Sequence, residues 1–449
     1  MALSLDETNL VSGLANQLAV SSTLDTRLDR YYEGTQRLEH IGLAVPPELR
    51  RFETVVNWNR VAVDSVADRL AVKSFILPGA ETASAALREG WDANNLDSES
   101  VIHAQETLTL GRGFVTVGAN EEDPDHPLIS VESPREISVS INKRHRRIDA
   151  ALRLYGADSF GQAQYATLYQ PDYTQWLERG SNGKWVVTDR DDHNLGRVPI
   201  VMFLNRRRLG KWSGISEMAD VIPLVDAAAR SLTNLQIAGE THSVPQKYVI
   251  SASKGDFVDG DGQPIPAWES YYSAIWATAN KDAKMGQFAA SDLKNFHDTV
   301  NHYANLVASV TGLPTRYLGQ NSVNPAAEGA IRADESRLVL NTERKQANFG
   351  DGWGWVMGLY ERFRTGDWVS GNRIKTEWHD AGTPTFAQKA DALTKLYAGG
   401  NGVLSREGVW DELGWSEARK DREREYFQTE AQDPVLERLA RTVTVNGEA

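Results

Sequence analysis

The chain has 449 residues, 41% apolar and 24% charged, with no cysteine and a formal net charge of −13. That length suits two to four domains at ~100–200 residues each, of ordinary globular composition, and the missing cysteine excludes disulfides, thiolate metal sites and cysteine nucleophiles. No apolar run reaches the ~20 residues of a membrane-spanning helix, the start carries Asp6 and Glu7 where a secretory signal would be basic and then apolar, and the acidic balance argues against tight binding of DNA along the whole surface without arguing against a channel through which DNA slides.

Residues 1–213 read as a mixed α+β region. Leu24, Leu28, Tyr31 and Tyr32 recur at helical spacing until Gly34 breaks the pattern, and Val55, Trp58, Val61, Val66 and Leu70 form a second helical stripe. From Leu108 onward the texture changes. Phe114–Val117, Leu128–Val131, Leu152–Tyr155, Ala166–Tyr169, Trp185–Val187 and Ile200–Phe203 are short strands between Gly, Pro and Asp turns. The elements do not alternate as βαβ units, so the class expected is α+β.

Residues 215–243 carry a seam. Met218, Val221, Val225, Ala228, Leu232 and Leu235 fall at spacings of 3, 4, 3, 4 and 3 along one helix face. Pro223 inside the pattern either kinks that helix or marks its first turn. Residues 244–290 are short and strand-like, with an Asp259-Gly260-Asp261-Gly262 turn. A second seam of the same spacing follows in Leu293, Phe296, Val300, Tyr303, Val307 and Val310, with Ser291 as candidate N-cap and Gly312 and Pro314 as stop. After a polar loop, a third helix is expected from Ala326 toward Phe363. Its Gly350, Gly352 and Gly354 each cost ~1 kcal/mol against alanine, which calls for a bend or a closely packed neighbouring backbone. Ile374–Trp378 reads as a last strand. Residues 384–430 read as small helices with a Thr385/Gln388 capping box, Ser405 and Ser416 as N-caps and Gly414 as a stop.

The order and spacing of these pieces resemble the portal proteins of long-tailed bacteriophages, over roughly Leu24 to Phe427. The resemblance is carried by Tyr31-Tyr32-Glu33-Gly34, Asn57-Trp58, Asp68-Arg69-Leu70 and Gly111-Arg112-Gly113-Phe114-Val115. It continues through Val198-Pro199, Phe203-Leu204-Asn205-Arg206 and Gly214-Ile215-Ser216-Glu217. The most specific stretch is Thr311-Gly312-Leu313-Pro314, Tyr317-Leu318-Gly319, Asn324-Pro325 and Ala330-Ile331-Arg332, then Arg344-Lys345-Gln346, Phe349-Gly350 and Trp353. The chain departs from the family at Pro325-Ala326-Ala327-Glu328-Gly329, where serine is frequent.

The resemblance implies a portal-like fold. Residues 1–213 would be a wing, 214–243 and 291–312 a two-helix stem, and 244–290 a β-containing clip. Residues 313–325 would be a tunnel loop, 326–383 a long helix and return to the wing, 384–432 a helical crown, and 433–449 a loose tail. It further implies a homo-oligomeric ring of about twelve subunits at one capsid vertex. Double-stranded DNA would pass through it in packaging and ejection, and its partners would be the terminase, the head–tail adaptor, and the major capsid and scaffold proteins. Arg316, Tyr317, Gln320, Asn321 and Ser322 become the candidate DNA-facing residues. Val225, Leu232, Leu235, Phe296, Val300, Tyr303 and Val307 become the candidate subunit-packing residues of the stem.

Enzymatic motifs are not found. There is no Walker lysine loop and no Gly-x-Ser-x-Gly elbow, and Gly352, Gly354 and Gly358 lack the spacing and preceding strand of a dinucleotide fingerprint. His297 and His302, five apart, point to different helix faces, and Asp259 and Asp261 lack the twelve-residue calcium pattern. No catalytic, cofactor or metal residue is nominated. Two basic runs remain, Lys143-Arg144-His145-Arg146-Arg147 and Arg206-Arg207-Arg208. Their plainer reading is solvated turns or salt bridges to an acidic neighbour; their functional reading is phosphate contact. The competing classes are a DNA-processing enzyme with a helical arm, which needs a metal or carboxylate cluster, and a capsid-associated adaptor without a channel.

Overall fold

Ser4 starts the first helix with a reciprocal capping box. Its hydroxyl accepts from the Glu7 N–H, and the Glu7 carboxylate accepts from the Ser4 N–H at 2.8 Å. Helix α1, Leu5–Glu33, ends on Gly34 at φ 71°, where an added Cβ would also press on the Asn57 side chain. In this computed structural model the described residues are 3–37, 54–242, 247–251, 282, 284–287, 293–320, 328–369, 373–382, 386–415 and 417–431, and the chain divides into two units, 1–381 and 382–449.

In the first unit α1 is followed by α2 (Trp58–Ala67), β1 (Val72–Ile76), α3 (Ala85–Ala93), α4 (Leu96–Leu110) and β2 (Arg112–Gly118). Then come β3 (Leu128–Glu132), β4 (Ile137–Asn142), β5 (Arg147–Ala157), β6 (Ala163–Tyr169), β7 (Thr174–Arg179), β8 (Trp185–Asp191) and β9 (Ile200–Leu204). Strands β3-β2-β9 form one antiparallel sheet and β4-β5-β6-β7-β8 an antiparallel meander. Period-two alternation puts Leu152, Ala166, Leu168 and Leu177 of the meander under Val11 and Leu14 of α1. Ile137, Val139 and Ala151 instead pack with Phe114 and Ile200. The fold is the α+β one expected. All six strands expected within 1–213 fall inside observed ones, while α3, α4, β1, β4 and β7 carried no sequence expectation. In α4 the buried set includes Ser100, His103, Thr107 and Thr109, so an apolar period does not mark it.

The long helices follow: α5 (Ile222–His242), the paired strands β10 (Lys247–Ile250) and β11 (Lys284–Gln287), α6 (Lys294–Thr311), a 3₁₀ turn at Thr315–Leu318, α7 (Glu328–Thr365) and β12 (Lys375–Trp378), which pairs with β1. The first seam is not helical throughout. Met218 and Val221 lie in a hydrogen-bonded turn, and Pro223 takes the first turn of α5, where its missing N–H costs nothing. The Ser291 cap and the Asp259–Gly262 turn lie outside the described residues. Helix α7 runs unbroken through its glycines, because they admit neighbours. A Cβ on Gly352 would sit 2.4 Å from the Phe203 ring, and one on Gly350 would sit 3.2 Å from Trp378 Nε1. Trp353 fills the core beside Trp91 and Phe203, with ring centroids 4.9 and 5.2 Å away.

The second unit holds α8 (Phe386–Tyr397), α9 (Arg406–Glu412) and α10 (Glu417–Ala431). Ser405 caps α9, accepting from the Gly408 N–H at 3.1 Å, and Gly414 at φ 74° follows the helix end as expected. Trp410 stacks on Trp415 and Phe427. Thr385, Ser416 and the 433–449 tail lie outside the described residues.

Candidate assembly and channel site

The two seams form one helix pair, rooted in the main core. Val225 and Ala228 of α5 meet Ala304, Val307 and Ala308 of α6 there, and Val225 and Val307 are fully buried. Asp226 ties the root of α5 to α1, accepting from the Tyr31 hydroxyl at 2.9 and 3.1 Å; burial, with Asp226 beside it, pushes that phenol up. Farther out the same pattern continues over thinner cover. Leu232, Leu235, Phe296, Val300 and Tyr303 are only half-buried. Val310 on α6 and Leu340 on α7 are exposed to 46% and 54%, which leaves apolar surface on the pair and on the helix beside it.

The loop after α6 is tied down at its start. Gly312 leaves the helix at φ 78°, where a Cβ would lie 2.8 Å from the Arg337 side chain, and Leu313 and Leu318 are buried. Arg316 pairs with Glu335 at 2.5 Å and Asp334 at 3.3 Å on α7. The Tyr317 hydroxyl donates to Glu335 at 2.9 Å and accepts from Arg69 at 3.1 Å. Gln320 donates to the Asn301 carbonyl on α6 at 2.8 Å. These three candidate residues therefore have protein partners within the chain. Asn321 and Ser322 lie outside the described residues.

A buried junction holds α7 to the segment leading into α5. Gly111 and Gly214 cross so closely that a Cβ on Gly214 would lie 1.6 Å from the Gly111 carbonyl oxygen. Lys345 donates to Glu217 at 2.8 Å and to Asn205 Oδ1 at 2.7 Å, while Asn205 Nδ2 donates to Glu217 at 3.0 Å and to the Ile215 carbonyl at 2.9 Å. Burial alone would raise the Glu217 carboxyl; the Lys345 ammonium and the hydrogen bonds from Lys345 and Asn205 reverse this and hold it below the ordinary carboxylate range. His103 was not singled out by its spacing. It is fully buried against Phe203 and Trp353, and burial pushes it down to about 3, so it is neutral and serves packing.

This arrangement positions helices and surfaces. His297 and His302 are exposed on α6. Among the described residues no three or more His, Cys, Asp or Glu gather as a metal site, and no helix is long and apolar enough to cross a membrane.

The family model described as "Phage portal protein, SPP1 Gp6-like" matches residues 24–435. A protein of Mycobacterium phage D29 named "Portal protein" is 38% identical over 414 residues, covering 89% of this chain and 84% of its own. One of Mycobacterium phage L5, also named "Portal protein", is 36% identical over 413 residues with the same coverage. Among solved structures, the neck of a native gene transfer agent particle computed with C12 symmetry is 16% identical, over 84% of this chain and 94% of that one, at a TM-score of 0.44.

Proposed function

The chain belongs to the SPP1 Gp6-like family of phage portal proteins, and from that premise we propose how it works: about twelve copies close into a ring that passes double-stranded DNA at one capsid vertex. The observation that carries this reading is the family match over residues 24–435, joined to 38% identity with a relative covered over most of its length. The outer seam of α5 and α6, half-buried among the described residues, supports it, since apolar helix faces left partly open suit packing by neighbouring subunits. The net charge of −13 suits a conduit through which phosphates slide.

In this reading residues 1–213 are the wing, and 214–243 with 291–312 the stem. Residues 244–290 form the clip, which docks the terminase and later the head–tail adaptor. Residues 313–325 form the tunnel loop, 326–383 the long helix and its return to the wing, and 384–432 the crown. Arg316 and Tyr317 anchor the root of the loop through Glu335, and DNA contact falls chiefly to Gln320, Asn321 and Ser322 beyond it. The role is mechanical and electrostatic, not catalytic; movement of the DNA is the work of a partner motor. Assembly takes place in the host cytoplasm with capsid and scaffold proteins, and the finished ring stays in the virion. The test is negative-stain electron microscopy with mass photometry of the concentrated full chain, alone and with scaffold protein. Rings with a central hole are the expected result. A closed dimer or tetramer without a hole contradicts the reading.

A further inference from the structure

The two basic runs, far apart in sequence, meet in one cavity of about 340 Å³. Its walls are the β4–β5 hairpin turn, strand β9 with the loop after it, and one side of α7. Asn142 builds that turn by accepting from the N–H groups of Arg144 and His145 at 3.1 and 3.0 Å, and the chain passes through Arg146 at φ 51°. Arg146 and Arg147 come from the first run and Arg207 from the second, and Arg197, ahead of β9, joins them.

The four guanidinium groups face a single carboxylate among the lining residues, Asp351. Arg206, next along the chain, is neutralised by Asp220 at 2.7 Å. Among the described residues no ion pair engages Arg146, Arg147, Arg197 or Arg207. Two of the four are held by aromatic faces: Arg197 lies 3.6 Å from the Trp355 ring centroid and Arg207 4.5 Å from that of Trp212. Stacking fixes the guanidinium plane and leaves its N–H edges to bind. Burial, with the like charge of Arg147 nearby, pushes Arg197 down to about 10, the condition of a cation held beside another without an anion between them.

We propose that this cavity binds a phosphate group of a nucleic-acid strand, on guanidinium groups supplied by three separate segments. A tetrahedral phosphate offers acceptors to arginines arriving from several directions, whereas one carboxylate fills at most two such edges. The volume is at the small end of ligand pockets and suits one nucleotide unit of a strand. The apolar Ile141, Ile148 and Met202 in the lining offer a surface for a sugar. The site is separate from the loop after α6 and does not depend on the ring reading.

The test uses the full chain and a short labelled DNA, followed by fluorescence anisotropy across a salt series. R147Q/R207Q removes two lining charges, and K143Q/R144Q removes two from the same region without touching the lining. The lining variant should bind about tenfold or more weakly, with a shallower salt slope by ~2 units, while the control variant stays close to wild type and ring formation is unaffected in both. Equal loss in both variants, or wild-type affinity in R147Q/R207Q, overturns the site. Binding of inorganic phosphate, lost in R147Q/R207Q, with no DNA affinity assigns a small-anion site and overturns the nucleic-acid source. Polyglutamate displacing the DNA at lower concentration than unlabelled DNA assigns the cavity to an acidic protein segment and overturns the phosphate assignment.

Discussion

The inner and outer ends of the α5–α6 pair carry the same spacing of apolar residues and meet different surroundings. At the root Val225 and Val307 are fully buried, and Asp226 is held by Tyr31 of α1. At the tip Leu235 and Phe296 are half-buried among the described residues. A seam records which residues require burial; it does not record what buries them. At the root the chain covers its own seam, so that end contributes to the stability of the single subunit. At the tip the described residues cover the seam only in part, and in the ring reading adjacent copies complete the cover.

The sharpest way to break the comparison is a charge at the root. V307D buries an unpaired carboxylate and should cost about 4 kcal/mol or more, enough to abolish folded protein in a thermal melt followed by circular dichroism. Nearly as large is the effect of K345M, which leaves Glu217 buried without its cation and should cost about 3–5 kcal/mol in urea unfolding, with much of it restored in K345M/E217L. A single-variant loss below about 1 kcal/mol would show that the junction is not under load.

His103 makes the stability of the subunit depend on pH. Its folded pKa lies below the unfolded value, so the unfolded chain binds the extra proton between them. Stability is therefore intact above about 6.5 and falls as pH drops toward about 3. At pH 5 the loss should be about 2 kcal/mol relative to neutral pH, and H103F should remove that part of the slope. The smallest effect on the isolated subunit belongs to the tip: F296A and L235A should each cost about 1 kcal/mol or less in the melt of the monomer while lowering the yield of assemblies in mass photometry.

Much of this fold is legible in the sequence, for identifiable reasons. The strands are legible as short apolar runs between Gly, Pro and Asp turns, as at Ile200–Phe203, and the helix pair writes its seam. Helix α4 is silent because its buried side carries Ser100, His103 and Thr107, and Pro223 could only be placed once the Met218–Val221 turn was seen. The loop residues Arg316 and Tyr317 were visible as a motif, but not their anchorage, since Glu335 lies on another helix and Arg69 is 248 residues from Tyr317. The Asn205–Glu217–Lys345 junction has the same character: each residue sits in a recognisable segment, and their convergence is a property of the fold. The two arginine runs were equally plain as runs, while the cavity where they meet Arg197 has no local signature.

The most direct test of the account compares wild type with L235D/F296D at matched high concentration, by electron microscopy and mass photometry, with a thermal melt of each. Rings with a central hole are expected for the wild type, and for the variant a monomer that melts close to wild type. Rings formed equally well by the variant, or wild-type particles without a hole, would contradict it.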